Sequence, residues 1–231
     1  MSAIMDIISG IVVGGLILVI ALTALGTGMQ TTANHSALEI VQLSLAQSHR
    51  IMESDLRKAG FGIPRQDQGQ VFQVAAPSQV KILAHLNLQP GSEIPVAGVS
   101  TYDDIPDTLE YSITADETIT LGDTTLTLYN INRRLKIASI ASDSMMIGKI
   151  GNNDVFTYLD QWGRTTAVPA EIRVLEVSLR AFNPRVILSP ELVMTGTLSS
   201  NDLEVRRREV RWLLRGSYSR EARIMLRNLR R

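Results

Sequence analysis

The sequence predicts an α+β protein. One long N-terminal α-helix, with a protruding apolar first half, packs by its second half on a C-terminal domain of antiparallel β-sheet. Three observations predict this. Residues Ile7–Met29 carry no charged side chain. After Thr31 the apolar residues fall into a helical stripe that continues to Leu56. From Val71 onward, short runs rich in Val, Ile, Leu and Thr alternate with Gly, Pro, Asn and Asp. The organisation expected is an apolar half-helix over 1–30, an amphipathic half-helix over 31–62 and a β-rich head over 63–231.

The apolar run is roughly 35 Å long as a helix, enough to cross a hydrocarbon core of about 30 Å. A single acid, Asp6, precedes it, and the first basic residue is Arg50, so loop charge does not set an orientation. The run is a poor signal peptide, because it has no basic n-region, is long, and is not followed by a small-x-small cleavage pattern. Gly10 and Gly14 stand at GxxxG spacing with Gly15 beside them, a pattern that lets apolar helices approach closely. A carboxylate at Asp6 suits a helix N-terminus, yet at the border of a hydrocarbon layer it is expensive unless paired, and the N-terminal amine of a neighbouring helix would suit it.

Leu38, Val41, Leu45, Met52 and Leu56 recur at helical spacing with Ser48 in the gap, leaving Gln42, Gln47, Arg50, Glu53 and Arg57 for the other faces. Gly60, Gly62 and Pro64 are expected to end the helix, near Phe61. Strands are predicted at Val71–Val74, Val80–Ala84, Thr108–Thr114, Thr118–Leu121, Thr124–Asn130, Val155–Asp160 and Ile172–Ala181, with a hairpin turning at Gly122–Asp123. Val205–Arg215 and Ala222–Leu229 are expected to close the chain as an antiparallel pair around Gly216–Ser217.

The residue inventory points away from catalysis. The chain has no cysteine, which excludes disulfides and thiolate chemistry. His35, His49 and His85 are scattered, and the first two are expected on the helix surface. No nucleophile triad, Walker sequence or GxGxxG is present, and no cofactor or metal is expected. Asp103, Asp104 and Asp107 lack the spacing of a calcium loop and suggest a solvated turn. The formal net charge of zero argues against a whole-protein polyanion binder, although ten arginines face four acids from Asn201 to Arg231. Arg206, Arg208 and Arg215 are interleaved with apolar residues, as on the wet face of half-buried strands. They are also candidates for a subunit interface or, as a lesser expectation, for nucleic acid.

Four segments resemble the type IV pilin superfamily, in particular PilW-type minor pilins and J-type pseudopilins of type II secretion. Ser2-Ala3-Ile4-Met5-Asp6 followed by the apolar run is similar to a mature pilin N-terminus, and with Met1 removed Asp6 falls at the fifth position, where pilins place a glutamate. Asp55-Leu56-Arg57-Lys58-Ala59-Gly60-Phe61 resembles the Asp-Leu-Arg-x-Ala-Gly-aromatic element that closes the long helix in that subgroup. Phe156–Asp160, Gly163 and Ile172–Leu179 resemble a late strand pair, and Ala222–Asn228 resembles a closing strand that ends Leu-Arg-Asn. Asp in place of Glu, and an apolar run without proline, depart from the pattern.

The resemblance implies a structural filament subunit and no enzyme. Such a subunit is held in the inner membrane by its helix before assembly, and the helix is afterwards buried among identical or homologous helices in a periplasmic or extracellular filament. Pilus or secretion assembly machinery is the implied partner. Asp6, Gly10, Ile11, Gly14, Gly15 and Leu18 are the residues placed in assembly, and local unwinding at Gly14–Gly15 and Gly26–Gly28 is an expectation for the packed filament. The competing reading is a single-pass membrane-anchored envelope domain that binds a partner without polymerising.

Overall fold

The computed structural model describes residues 2–86, 105–121, 124–137, 143–182 and 218–229, with residues 2–9, 30, 33, 34, 37, 119–121, 124 and 143 described by backbone alone. The layout is an N-terminal helix followed by antiparallel sheets. The chain forms two compact units, Met1–Val41 and Gln42–Arg231.

Helix α1 spans Ser2–Leu56. It runs unbroken through Gly14–Gly15 and Gly26–Gly28, so the local unwinding expected there is not a property of the single chain. Within the second unit, Leu45, Ser48, His49, Met52, Asp55 and Leu56 are buried, at the three- and four-residue steps that keep side chains on one face. Gln42, Gln47, Arg50 and Arg57 are exposed, as the stripe predicts. The α-helix stops earlier than Phe61. Past Arg57 the hydrogen bonds tighten to three-residue steps, Lys58 N–H to Asp55 O and Ala59 N–H to Leu56 O. Gly60 and Gly62 then take positive φ (72° and 71°), a conformation in which a Cβ would be strained.

Among the described residues five strands make the first sheet, in the order β1 (Phe72–Ala76), β2 (Gln79–Ala84), β3 (Asp107–Leu121), β4 (Thr124–Lys136) and β5 (Asp143–Ile150). Neighbours are antiparallel throughout. The two short strands expected over 108–121 are one strand. The ladder passes from Ala115↔Tyr129 to Glu117↔Leu128, so Asp116 is an extra, bulged residue where the sequence suggests a break. Asp116 accepts hydrogen bonds there from Asn130 and Lys149, the latter also an ion pair. The register pairs Leu121 with Thr124, as a hairpin turning at Gly122–Asp123 requires, although those two residues lie outside the described set.

Among the described residues the second sheet has three strands, β6 (Phe156–Leu159), β7 (Val174–Ala181) and β8 (Tyr218–Met225). β7 alternates in burial, with Leu175, Val177, Leu179 and Ala181 inside. The closing strand begins earlier than Ala222, and Arg227–Leu229 is a 3-10 turn. Its described partner is β7, from Val174↔Met225 to Ala181↔Tyr218, while the expected partner Val205–Arg215 lies outside the described residues. Tyr158 ties the sheets together. Its ring meets Phe72 edge-on at 6.0 Å, and its hydroxyl lies 3.0 Å from the carbonyl oxygens of both Ala76 and Gln79, to which it donates. Asn152 bonds the carbonyls of Asp154 and Ser178 and accepts from Arg180 N–H.

Candidate functional site

Gly10–Met29 is a twenty-residue helical segment long and apolar enough to cross a membrane, and no part of it is buried. At 1.5 Å per residue it spans about 30 Å, the thickness of a bilayer's hydrocarbon core. Its two hydroxyl side chains are satisfied within the helix. Thr23 donates to Val19 O (2.7 Å) and Thr27 to Thr23 O (2.9 Å), so neither needs water. Ile11 is 70% and Leu18 60% exposed. At Gly10, Gly14 and Gly15 nothing lies within 4 Å of where a Cβ would be, so the backbone is open to close approach. The side chain of Asp6 lies outside the described residues, as do Arg206, Arg208 and Arg215.

The end of α1 is fixed by a buried polar cluster. Asp55 belongs to the buried face and points between β3 and β4, where Tyr111 and Arg133 stand directly opposite each other in the ladder. Its Oδ2 accepts from the Tyr111 hydroxyl and from Arg133 Nε, both at 2.6 Å, and Lys58 Nζ lies 3.8 Å from Oδ1. Charge-assisted bonds of this length are the strong kind. Burial and the neighbouring Asp55 carboxylate push the Tyr111 hydroxyl well above its ordinary pKa, so it stays a donor. Burial pulls the Arg133 guanidinium down, but the bond to Asp55 more than offsets this. The arrangement pins a helix to two strands.

Two further contacts complete the pin. Ser48 donates to the Ile147 carbonyl at 2.8 Å, and Ile147 is the extra residue of a bulge in β5, where Asn132 pairs with Met146 and Ile131 with Gly148. A Cβ on Gly148 would lie 2.4 Å from Ser48 Oγ, so the small pair permits the helix to approach this edge. At the helix end, the Asn228 amide donates to the carbonyls of Arg57 and Ala59, both at 3.2 Å. Both carbonyls belong to the turn that follows the last α-helical residue, Leu56. Leu229 packs against Gly60, where a Cβ would lie 2.5 Å from its Cδ2. The Asp-Leu-Arg-x-Ala-Gly element and the closing Leu-Arg-Asn therefore meet in space.

The histidines do not all lie where expected. His35 is exposed, but His49 is 4% exposed, and neither of its ring nitrogens has a hydrogen-bond partner among the described residues. Burial and Arg220 of β8 lower its pKa, against a smaller opposing pull from Glu53, whose carboxylate is 3.9 Å away. Asp107 is not in a solvated turn. It is fully buried and accepts from Leu86 N–H at 2.7 Å, while Asp103 and Asp104 lie outside the described residues. The periodicity marks Ser48 and Asp55 as helix positions, but a polar residue on a stripe gives no signal of its partner on a distant strand. No family model, curated protein or solved structure matches the chain.

Proposed function

We propose that the chain is a structural subunit of a filament of the type IV pilus or pseudopilus kind. In this reading it is held in the inner membrane by its N-terminal helix before assembly and packs that helix in the filament core afterwards. The observation that carries the reading is Gly10–Met29, an apolar helical segment whose every residue is exposed, within the helix whose later turns are pinned to a β head. An exposed apolar surface of this size requires a cover. A bilayer and a bundle of like helices both supply one, so one sequence serves in both places.

Gly10, Gly14 and Gly15 provide the close approach between helices, and Ile11 and Leu18 provide the apolar contacts. Asp6 neutralises the N-terminal amine of an adjacent subunit and so sets the axial step, because a carboxylate left unpaired in an apolar core costs several kcal/mol. The partners are identical or homologous subunits and the machinery that extracts them from the membrane.

Shearing cells that express the full chain and pelleting the released fibres tests this. The protein is expected in the pelleted fibres, with Asp6→Ala remaining in the membrane fraction. Recovery only as small detergent-extracted particles would favour the membrane-anchored envelope domain. Fibres of normal yield and symmetry from Asp6→Ala would remove Asp6 from the mechanism.

A further inference from the structure

The loop Asp160–Arg164, between β6 and β7, holds an aromatic side chain in water. Trp162 is 72% exposed, although a large apolar ring gains from burial. The loop that carries it is fixed. Asp160 Oδ1 accepts from Trp162 N–H (2.8 Å) and Arg164 N–H (2.9 Å), and Oδ2 accepts from Arg164 Nε (3.1 Å). Gly163 turns the chain at φ 77°, and Leu159 bridges Thr165 below it. The indole is thus displayed on a rigid mount.

Trp162 lines a groove of about 600 Å³, together with Asp160, Arg164, Glu171, Arg173 and Met225. Its two acids and two arginines balance, and each has a partner in the protein. Asp160 and Arg164 pair with each other, Thr166 donates to Glu171 at 3.1 Å, and Arg173 donates to the carbonyls of Ala170 and Ile172. The formal charges of the lining therefore sum to zero, and the groove favours neither a net anion nor a net cation. What remains is an exposed flat ring, beside planar polar groups that keep unused lone pairs and N–H groups. This chemistry suits a neutral ligand with one apolar face and a rim of hydroxyls, and the volume lies in the range of small-ligand sites.

We propose that this groove binds a neutral saccharide, one pyranose stacking its C–H face on Trp162 while its hydroxyls bond Arg164, Asp160 and Glu171. The test uses the full chain in an oligo-oxyethylene detergent, since alkyl glycosides would compete. The chain has two tryptophans, so Trp212→Phe leaves Trp162 as the sole reporter. Maltohexaose, cellohexaose, chitohexaose and mannohexaose are titrated separately against tryptophan emission, with calorimetry on the unaltered chain. At least one is expected to give a saturable emission change with Kd of about 1 mM or tighter. Trp162→Ala, with an unchanged melting temperature, should weaken binding at least tenfold, and Arg164→Gln should weaken it several-fold. The proposal is overturned if none of the four binds up to about 10 mM, or if Trp162→Ala binds equally well. It is also overturned if the emission change follows protein concentration and Trp162→Ala abolishes self-association, which would give the groove to a second copy of the chain.

Discussion

Replacing Asp55 with alanine removes the one carboxylate that satisfies both the Tyr111 hydroxyl and the Arg133 guanidinium. Tyr111 is completely buried, whereas the Arg133 side chain keeps 22% of its surface exposed. Breaking a buried pair by removing one partner costs about 3–5 kcal/mol. Partial exposure lets the guanidinium find water, which places Asp55→Ala near the lower end, about 3 kcal/mol. Tyr111→Phe removes the donor together with its need for a partner, and should cost only about 1–1.5 kcal/mol. Against a typical domain stability of about 5–15 kcal/mol, the first change is severe and the second mild. Urea unfolding of the full chain in detergent, followed by near-ultraviolet circular dichroism, measures both. The double variant should cost less than the sum, because the Tyr111 hydroxyl no longer waits unsatisfied. An Asp55→Ala variant within about 1 kcal/mol of the parent, or a Tyr111→Phe variant as damaging as Asp55→Ala, would refute the reasoning that the helix is pinned through this carboxylate.

His49 gives a pH dependence with a definite sign. Its folded pKa lies below the ordinary 6.5, so its contribution is complete above about pH 6.5 and declines as the pH falls toward the folded value, where the unfolded chain binds the extra proton. His49→Leu should flatten that decline in melting temperature between about pH 7 and 5. Gly60→Ala places a Cβ at positive φ and against Leu229, and is expected to lower stability by about 1–2 kcal/mol in the same unfolding assay. Ser48→Val crowds Gly148 and strands no buried polar side chain, at an expected cost of about 1–3 kcal/mol. Gly14→Ala meets open space in the single chain and raises helix propensity by up to about 1 kcal/mol, so circular dichroism in detergent should show equal or greater helicity. If α1 packs through this glycine in a filament, the same change lowers the yield of sheared fibres.

The helix and its two textures are legible residue by residue. Leu45, Met52 and Leu56 are buried where the 3.6-residue period puts them, and Gly60 and Gly62 take the positive φ expected of helix terminators. Strand β5 is not legible. Ser144, Met145 and Met146 are all exposed, so Asp143–Ile150 shows no alternation, and its bulge at Ile147 interrupts whatever period remains. Strand β3 looks like two segments because Asp116 and its neighbours resemble a turn, yet a bulge absorbs the extra residue within one ladder. His49 looks like a surface residue because burial of an unpartnered ring nitrogen is costly. Its position beside the stripe, one residue after Ser48, is the only local hint.

By itself the sequence determines the long α1 helix, the uncharged stretch at its start and the positive-φ glycines that follow it, because helix period, charge depletion and glycine conformation act over a few neighbouring residues. Only the tertiary structure decides what the polar residues on that helix do. Asp55 meets Tyr111 and Arg133, Ser48 meets Ile147, and the carbonyls of Arg57 and Ala59 meet Asn228, at separations of 56 to 171 residues along the chain. Such partners are chosen by which strands pair and where their bulges fall. No local pattern carries that information, because the free energy that selects it is gained only when distant segments exclude water together.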